Sequence, residues 1–284
     1  MPSEAPGESD LGPEAAATAG LSPAELFSLE GSAAIVTGAS GGLGRVIAAG
    51  LGAAGAAVLL TGQNEAELRR VEADLARAGV AVRSLAVDLE DERAATATVE
   101  TALDAFGRLD VLVNNAGINR RLPILDASRE DFDAVIGVDL RAPYFLAQAA
   151  ARSMIATGTG GAIINISSIN ALHGLERVSL YGAAKAALSQ LTRVMAVEWA
   201  RHGIRANAVA PGFIETPLTA PLWADADMRR WLRNRVPADR LGQPTEIVGL
   251  CLLLASEAGS FITGQTFVAD GGFLAGGRWF TPDA

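Results

Sequence analysis

The chain has 284 residues, half of them apolar, with a net charge of −9 and a pI near 4.8. That length and apolar fraction support one large α/β domain or two small ones. The acidic balance argues against nucleic acid or an anionic membrane as a partner, no apolar run approaches the ~20 residues of a membrane span, and the single cysteine, Cys251, excludes an intrachain disulfide and a cysteine zinc site.

Residues 1–24 carry Pro, Gly, Ala and acids, and no Lys or Arg precedes Arg45. They lack the basic start and apolar run of a signal peptide and read as a disordered acidic leader, with a partner-binding arm as the alternative. Short apolar, β-rich runs then recur at 33–37, 56–61, 81–87, 110–114, 161–167, 205–210 and 265–269. Gly, Asp or Pro bounds them, as expected of strands. Amphipathic stretches lie between them, and in the one at 64–79 Leu68, Val71 and Leu75 keep a helical spacing. This alternation predicts a single doubly wound, Rossmann-like α/β domain over residues 25–284, a seven-stranded parallel sheet with helices on both faces. No linker or internal repeat divides it.

The first strand runs into TGASGGLG, residues 37–44, which opens a helix. Gly38, Gly42 and Gly44 allow a tight turn and the close approach of a pyrophosphate at the helix N-terminus. A packing turn is the plainer reading. NNAG, 114–117, ends the fourth strand, and Asp88 closes the third in the same layer, where it could meet an adenine amino group. Ligands of open α/β sheets bind outside the carboxyl ends of the strands.

Tyr181 and Lys185 stand one turn apart in SLYGAAKAAL, 179–188, and Ser168 precedes Tyr181 by thirteen residues. A tyrosine with an ordinary pKa of about 10 is a poor base at neutral pH, but a nearby ammonium favours the phenolate. Such a pair can exchange a proton with an alcohol or carbonyl, and a serine hydroxyl can hold the same oxygen. A half-buried Tyr beside a snorkelling Lys is the alternative.

TGxxxGxG, NNAG, Ser then Tyr-x-x-x-Lys, and PGFIET at 211–216 occur in one order over residues 26–275. Together they resemble the short-chain dehydrogenase/reductase family. The resemblance implies a nicotinamide cofactor and Tyr181 as general acid/base. Ser168 would orient the substrate oxygen, and Lys185 would bind the nicotinamide ribose. It implies cofactor contacts at Ser40 and Leu43 beside the three glycines, at Asp88 and Leu89, and at Asn115, Ala116 and Gly117, with Asn115 and Gly117 along the adenosine side. Tyr181, Lys185, Pro211 and Gly212 would complete the set, with Ile214 and Thr216 holding the carboxamide. One position departs. Asp139, in GVDLRAP, stands where the family usually has Asn, and it would add a negative charge to the proton relay near Lys185.

No cation marks a 2′-phosphate site. Gln63 and Gly41 occupy positions that carry bases in many NADP enzymes of the family, which favours NAD over NADP. Gly62 also lacks the Asp common in NAD enzymes, and Gln63 could bond the ribose instead. Residues 217–240 break the strand–helix rhythm and are expected to form a substrate lid. They carry Trp223, Trp231, Arg229, Arg230, Arg233 and Arg235, and Arg120 and Arg121 follow NNAGIN. A guanidinium suits a carboxylate, although a solvated face balanced by Asp225 and Asp227 explains any single lid arginine. His173 either touches substrate hydroxyls or fills its loop.

The wider pattern is similar to the sugar-acid branch of the family, the gluconate 5-dehydrogenases and 2-dehydro-3-deoxy-D-gluconate 5-dehydrogenases. It implies interconversion of a secondary alcohol and a ketone on a small polyhydroxy acid. A dehydrogenase for a neutral polyol, a cyclic alcohol or a secondary-metabolite ketone is the alternative, and a non-catalytic nucleotide sensor is a third reading. The family's habit implies a homotetramer, with GLCLLLAS at 249–256 available for packing and a tail carrying Trp279 and Phe280 docked on a neighbour. The single cysteine fits a cytoplasmic setting.

Overall fold

All seven expected strands form, and they lie in one parallel sheet in the computed structural model, which describes residues 22–217 and 219–277. They are β1 (Ala33–Thr37), β2 (Ala57–Gly62), β3 (Val82–Ala86), β4 (Val111–Asn114), β5 (Gly161–Ile166), β6 (Ile204–Pro211) and β7 (Thr266–Ala269). Their spatial order is β3-β2-β1-β4-β5-β6-β7. The order reverses between β1 and β4, which opens a crevice at the carboxyl ends of those strands.

Every residue of β1 is buried, because helices cover both faces of the sheet. One face packs Ala34, Val36, Val58, Leu60 and Val113 against Ile47, Leu51, Leu68, Val71, Ile247 and Leu254. Those partners come from α2 (Gly42–Ala53), α3 (Glu65–Arg77) and α10 (Thr245–Ala255). The opposite face packs Ile35, Leu59, Leu112 and Ile163 against Val99, Leu146, Met154 and Met195. These belong to α4 (Ala94–Phe106), α6 (Ala142–Thr157) and α7 (Ser179–Trp199). Each fully buried Leu, Ile or Met side chain stabilises by about 1.5–3 kcal/mol. GLCLLLAS falls mostly within α10, where Cys251 and Leu254 point into the core and Leu250, Leu252 and Leu253 stay partly exposed.

Local rules set several boundaries. The Asn64 side chain caps α3 by accepting the Glu67 N–H at 3.2 Å. Ser128 and Asp131 form a reciprocal capping box at the start of α5 (Arg129–Ile136). Between α5 and α6 the chain makes one π-helical turn, Gly137–Arg141, which carries Asp139. A short helix α1 (Pro23–Leu26) begins inside the expected leader; residues 1–21 lie outside the described residues. The expected lid is two helices, α8 (Ala220–Ala224) and α9 (Ala226–Arg235). The tail residues Trp279 and Phe280 also lie outside the described residues.

Candidate active site

The motifs converge at the carboxyl end of the sheet. Thr37 closes β1, and its Oγ accepts the Asn115 and Ala116 N–H groups at 2.9 and 3.0 Å. The Asn115 amide donates in turn to Thr37 O at 2.8 Å. This lacing joins NNAG to the glycine loop. Gly42 has φ +53, a backbone that side chains rarely adopt, and a Cβ there would stand 3.9 Å from Thr216 Cβ. The glycine loop and the PGFIET segment therefore face each other. Gly44 admits no side chain, since a Cβ would sit 2.5 Å from Asn115 Nδ2 and against Gly38 O. No side chain caps α2, so its first N–H groups are free to meet an anion.

Ile214 pairs with Gly242 as an isolated parallel bridge, and the Gly242 N–H donates to Phe213 O at 2.9 Å. Pro211 ends β6, and the Gly212 N–H donates to Ala269 O at 2.8 Å. Gln63 is exposed at the end of β2. Asp88 lies just past β3, its carboxylate accepting the Glu90 N–H at 3.0 Å, with Leu89 half-buried beside it. Ser40 faces Gly62, whose Cβ would lie 3.5 Å from Ser40 Oγ.

Ser168 follows β5 in extended backbone, and its Oγ accepts the Asn170 N–H at 3.1 Å. Tyr181 and Lys185 lie in the first two turns of α7. Lys185 is 2% exposed. Its Nζ donates to Ile166 O at 3.0 Å, lies 5.5 Å from the centre of the Tyr181 ring and stands 3.3 Å from Asp139 Oδ2. The other Asp139 oxygen accepts the Ile118 N–H at 2.7 Å. Gly117 sits against this ion pair, since a Cβ there would be 3.1 Å from Asp139 Oδ2 and 3.3 Å from Lys185 Nζ. Ser167 Oγ donates to Lys185 O at 3.1 Å, pinning α7 to the end of β5.

Burial pushes the Asp139 carboxyl above the ordinary carboxylate range, against the opposing pull of Lys185. A carboxyl that binds its proton more tightly when folded stabilises the fold fully at low pH. That contribution is lost as pH rises through its native value. Denaturation midpoints should therefore show wild type losing stability relative to Asp139→Asn as pH rises through the carboxylate range. The same variant should keep turnover. Removing a negative charge beside Lys185 eases proton loss from the site, so the rising limb of the oxidation pH–rate profile should move to lower pH. Superimposable profiles would remove Asp139 from the relay.

The residues expected to meet substrate separate in the structure. Arg120 leans toward Asp131 at 3.9 Å on the surface. Arg121 has no hydrogen bond or ion pair among the described residues. Its side chain is exposed along much of its length, yet desolvation lowers its pKa, and the Tyr181 phenol is the group that acts on it in the opposite direction by charge. His173 is exposed and packs edge-on to Phe273 at 5.2 Å. Trp223 is buried in an aromatic cluster, edge-on to Phe213 at 5.8 Å, and its Nε1 has no hydrogen-bond partner among the described residues. The lid arginines mostly serve the lid. Arg229 bonds Trp223 O and Ala224 O at the end of α8, Arg230 pairs with Asp227 at 3.1 Å, and Arg235 stacks over Trp231. Thr37 and Ser167 are functional supports that sequence reasoning missed. Their signal was a hydroxyl residue at the carboxyl end of a buried strand.

A family model described as enoyl-(acyl carrier protein) reductase matches residues 38–274. The chain belongs to the short-chain dehydrogenase/reductase family. It is 41% identical over 249 residues to a 2-dehydro-3-deoxy-D-gluconate 5-dehydrogenase of Escherichia coli (strain K12), spanning 88% of this chain and 98% of that one. It is 40% identical over 252 residues to a gluconate 5-dehydrogenase of Gluconobacter oxydans (strain 621H), spanning 89% and 98%. Among solved structures, a gluconate 5-dehydrogenase from Burkholderia cenocepacia J2315, in complex with NADP and tartrate, superposes with a TM-score of 0.85 at 38% identity, covering 89% of this chain and 99% of that one. This short-chain dehydrogenase/reductase is thus an NAD(P)-dependent oxidoreductase acting on a CH–OH group. Among the described residues, no helix is long and apolar enough to cross a membrane.

Proposed function

We propose that this enzyme interconverts a secondary alcohol and a ketone on a sugar acid, with Ser168, Tyr181, Lys185 and Asp139 as its chemical core. The observation that carries the substrate class is Arg121, which follows NNAGIN and whose guanidinium has no hydrogen bond or ion pair among the described residues while feeling the charge of the nearby Tyr181 phenol. A partly desolvated cation without a carboxylate partner suits a carboxylate on the substrate.

The residues present fit a nicotinamide dinucleotide. The uncapped N-terminus of α2 and its glycine lip suit the diphosphate, and Thr216 faces that lip across a gap that a side chain on Gly42 would narrow. The nicotinamide, when bound, supplies the hydride acceptor or donor. In the oxidation direction Tyr181 takes the hydroxyl proton as the hydride leaves the adjoining carbon. Ser168 Oγ holds the reacting oxygen. Lys185, fixed by Ile166 O, keeps positive charge under the Tyr181 ring. Asp139 balances that charge and links it to the 118 backbone.

NAD is the favoured cofactor on charge grounds, with NADP as the alternative. The arginines flanking the β2 end already hold carboxylates: Arg45 with Asp74, Arg69 with Glu65, and Arg70 with Glu67. The test is absorbance at the reduced-nicotinamide band, with NAD and NADP supplied separately against sugar acids, neutral polyols and cyclic alcohols. Turnover on sugar acids supports this reading, and turnover confined to uncharged alcohols overturns it.

A homotetramer in the cytoplasm completes the proposal. Phe145 on α6 is 50% exposed and Val197 on α7 is 83% exposed, beside Tyr144, Ile155 and Val194. Phe261 and Val268, at and near the edge strand β7, are exposed as well. Apolar surface of this extent suits subunit contacts. A monomeric mass in solution would contradict it.

A further inference from the structure

Two amides beside the catalytic groups are left without partners. Asn119 and Asn170 are each half-buried, and the side-chain oxygen of each is buried. Neither side chain makes a hydrogen bond among the described residues. Burying an amide without a partner costs free energy, and native structures rarely leave one so unless something outside the chain completes it.

Their placement says what that something touches. Asn170 is the second residue after Ser168, and its own N–H fixes Ser168 Oγ at 3.1 Å. Its Cβ lies 3.8 Å from where a Cβ on Gly182 would stand, so it packs on the first turn of α7 beside Tyr181. Asn119 follows Ile118, whose N–H holds Asp139 at 2.7 Å, and it precedes Arg121 by two residues. The Leu122 N–H donates to Arg177 O at 3.0 Å, which draws the loop carrying Asn119 against the loop carrying Asn170. The two amides thus lie on the two loops that flank Ser168, Tyr181 and Asp139. Arg121 already supplies the charge that a carboxylate would need. An amide offers a donor and an acceptor together, as a hydroxyl does.

We infer that Asn119 and Asn170 read the substrate's hydroxyl groups on the carbons neighbouring the reacting one, so that the enzyme prefers chains hydroxylated at those carbons to analogues deoxy there. This rests on the proposed oxidoreductase reading, and it supplies the specificity that Arg121 alone cannot. A site built to bond a hydroxyl rejects an analogue lacking it, because its own polar groups are then left unpaired.

The test measures kcat/KM for gluconate against its monodeoxy analogues, and for sorbitol against its monodeoxy analogues, with wild type, Asn119→Leu and Asn170→Leu. Wild type should favour a hydroxylated substrate over the matching deoxy analogue by about ten-fold or more. Each Leu variant should bring one such pair to within about two-fold while still binding reduced nicotinamide nucleotide, followed by its fluorescence. Asn119→Ala and Asn170→Ala, which introduce no extra bulk, should show the same loss. Equal kcat/KM on hydroxylated and deoxy substrates in wild type overturns the inference. So does a uniform fall on every substrate in the variants, which would mark a purely structural role. Sugar-acid turnover with no deoxy penalty leaves the proposed function standing and removes the amides from recognition. A deoxy penalty seen only on sorbitol overturns the sugar-acid reading and keeps the amides.

Discussion

Tyr181→Phe is expected to lower kcat by about 10²–10⁴-fold, the usual worth of a positioned acid/base. Nucleotide affinity should change little. The reason for separating these effects is geometric. The Tyr181 hydroxyl makes no hydrogen bond among the described residues, and the ring itself lies below Lys185 Nζ. Phenylalanine keeps the ring and removes only the proton carrier. Lys185 retains its bond to Ile166 O and its approach to Asp139, so the ribose side of the site stays built. Thermal stability should therefore match wild type, and fluorescence titration with reduced nucleotide should give a similar Kd. A variant that turns over at the wild-type rate would mean the proton leaves by another route. A wild-type protein without turnover on any alcohol or ketone, whose Tyr181→Phe variant binds nucleotide equally well, would point to a sensor.

Arg121→Ala carries the next largest expectation. A charge-assisted contact to a carboxylate is worth roughly 1.5–3 kcal/mol, so kcat/KM on sugar acids should fall by about ten- to a hundred-fold. Neutral polyols should lose far less. The comparison belongs across a range of pH, at the plateau of each profile. Only a plateau loss confined to acids reports the carboxylate contact. Arg120→Ala is the internal control, since Arg120 already leans toward Asp131 on the surface. Equal plateau losses on acids and polyols would remove Arg121 from carboxylate recognition.

The sheet was legible because parallel strands buried on both faces read as continuous apolar runs, and each of the seven lay within a residue or two of its expected bounds. The glycine loop and the Tyr–Lys pair were legible because their spacings carry meaning within one turn or one helix. What could not be read depends on contacts far apart in sequence. Thr37 meets NNAG across almost eighty positions, and no local pattern announces that bond. Trp223 shows the same limit: composition put it on a lid above substrate, while packing against Phe213 buries its ring. Pro23 suits the first position of a helix and opens α1. Asn119 and Asn170 drew no notice as letters; only their lack of partners in three dimensions distinguishes them.

The single π turn at Gly137–Arg141 has a bearing on how this chain tolerates length changes. A π turn spends one more residue than an α turn before its hydrogen bond closes. Deleting one residue there would let α5 and α6 fuse into an unbroken α-helix, and because the wider turn absorbs the extra residue, the two flanking helices would keep nearly the same phase. Leu146 and Met154 would stay in the core they fill, while the turn itself would shift and Asp139 would lose its place beside Lys185. The turn thus serves the chemistry and not the packing. A codon lost here should cost activity far more than stability.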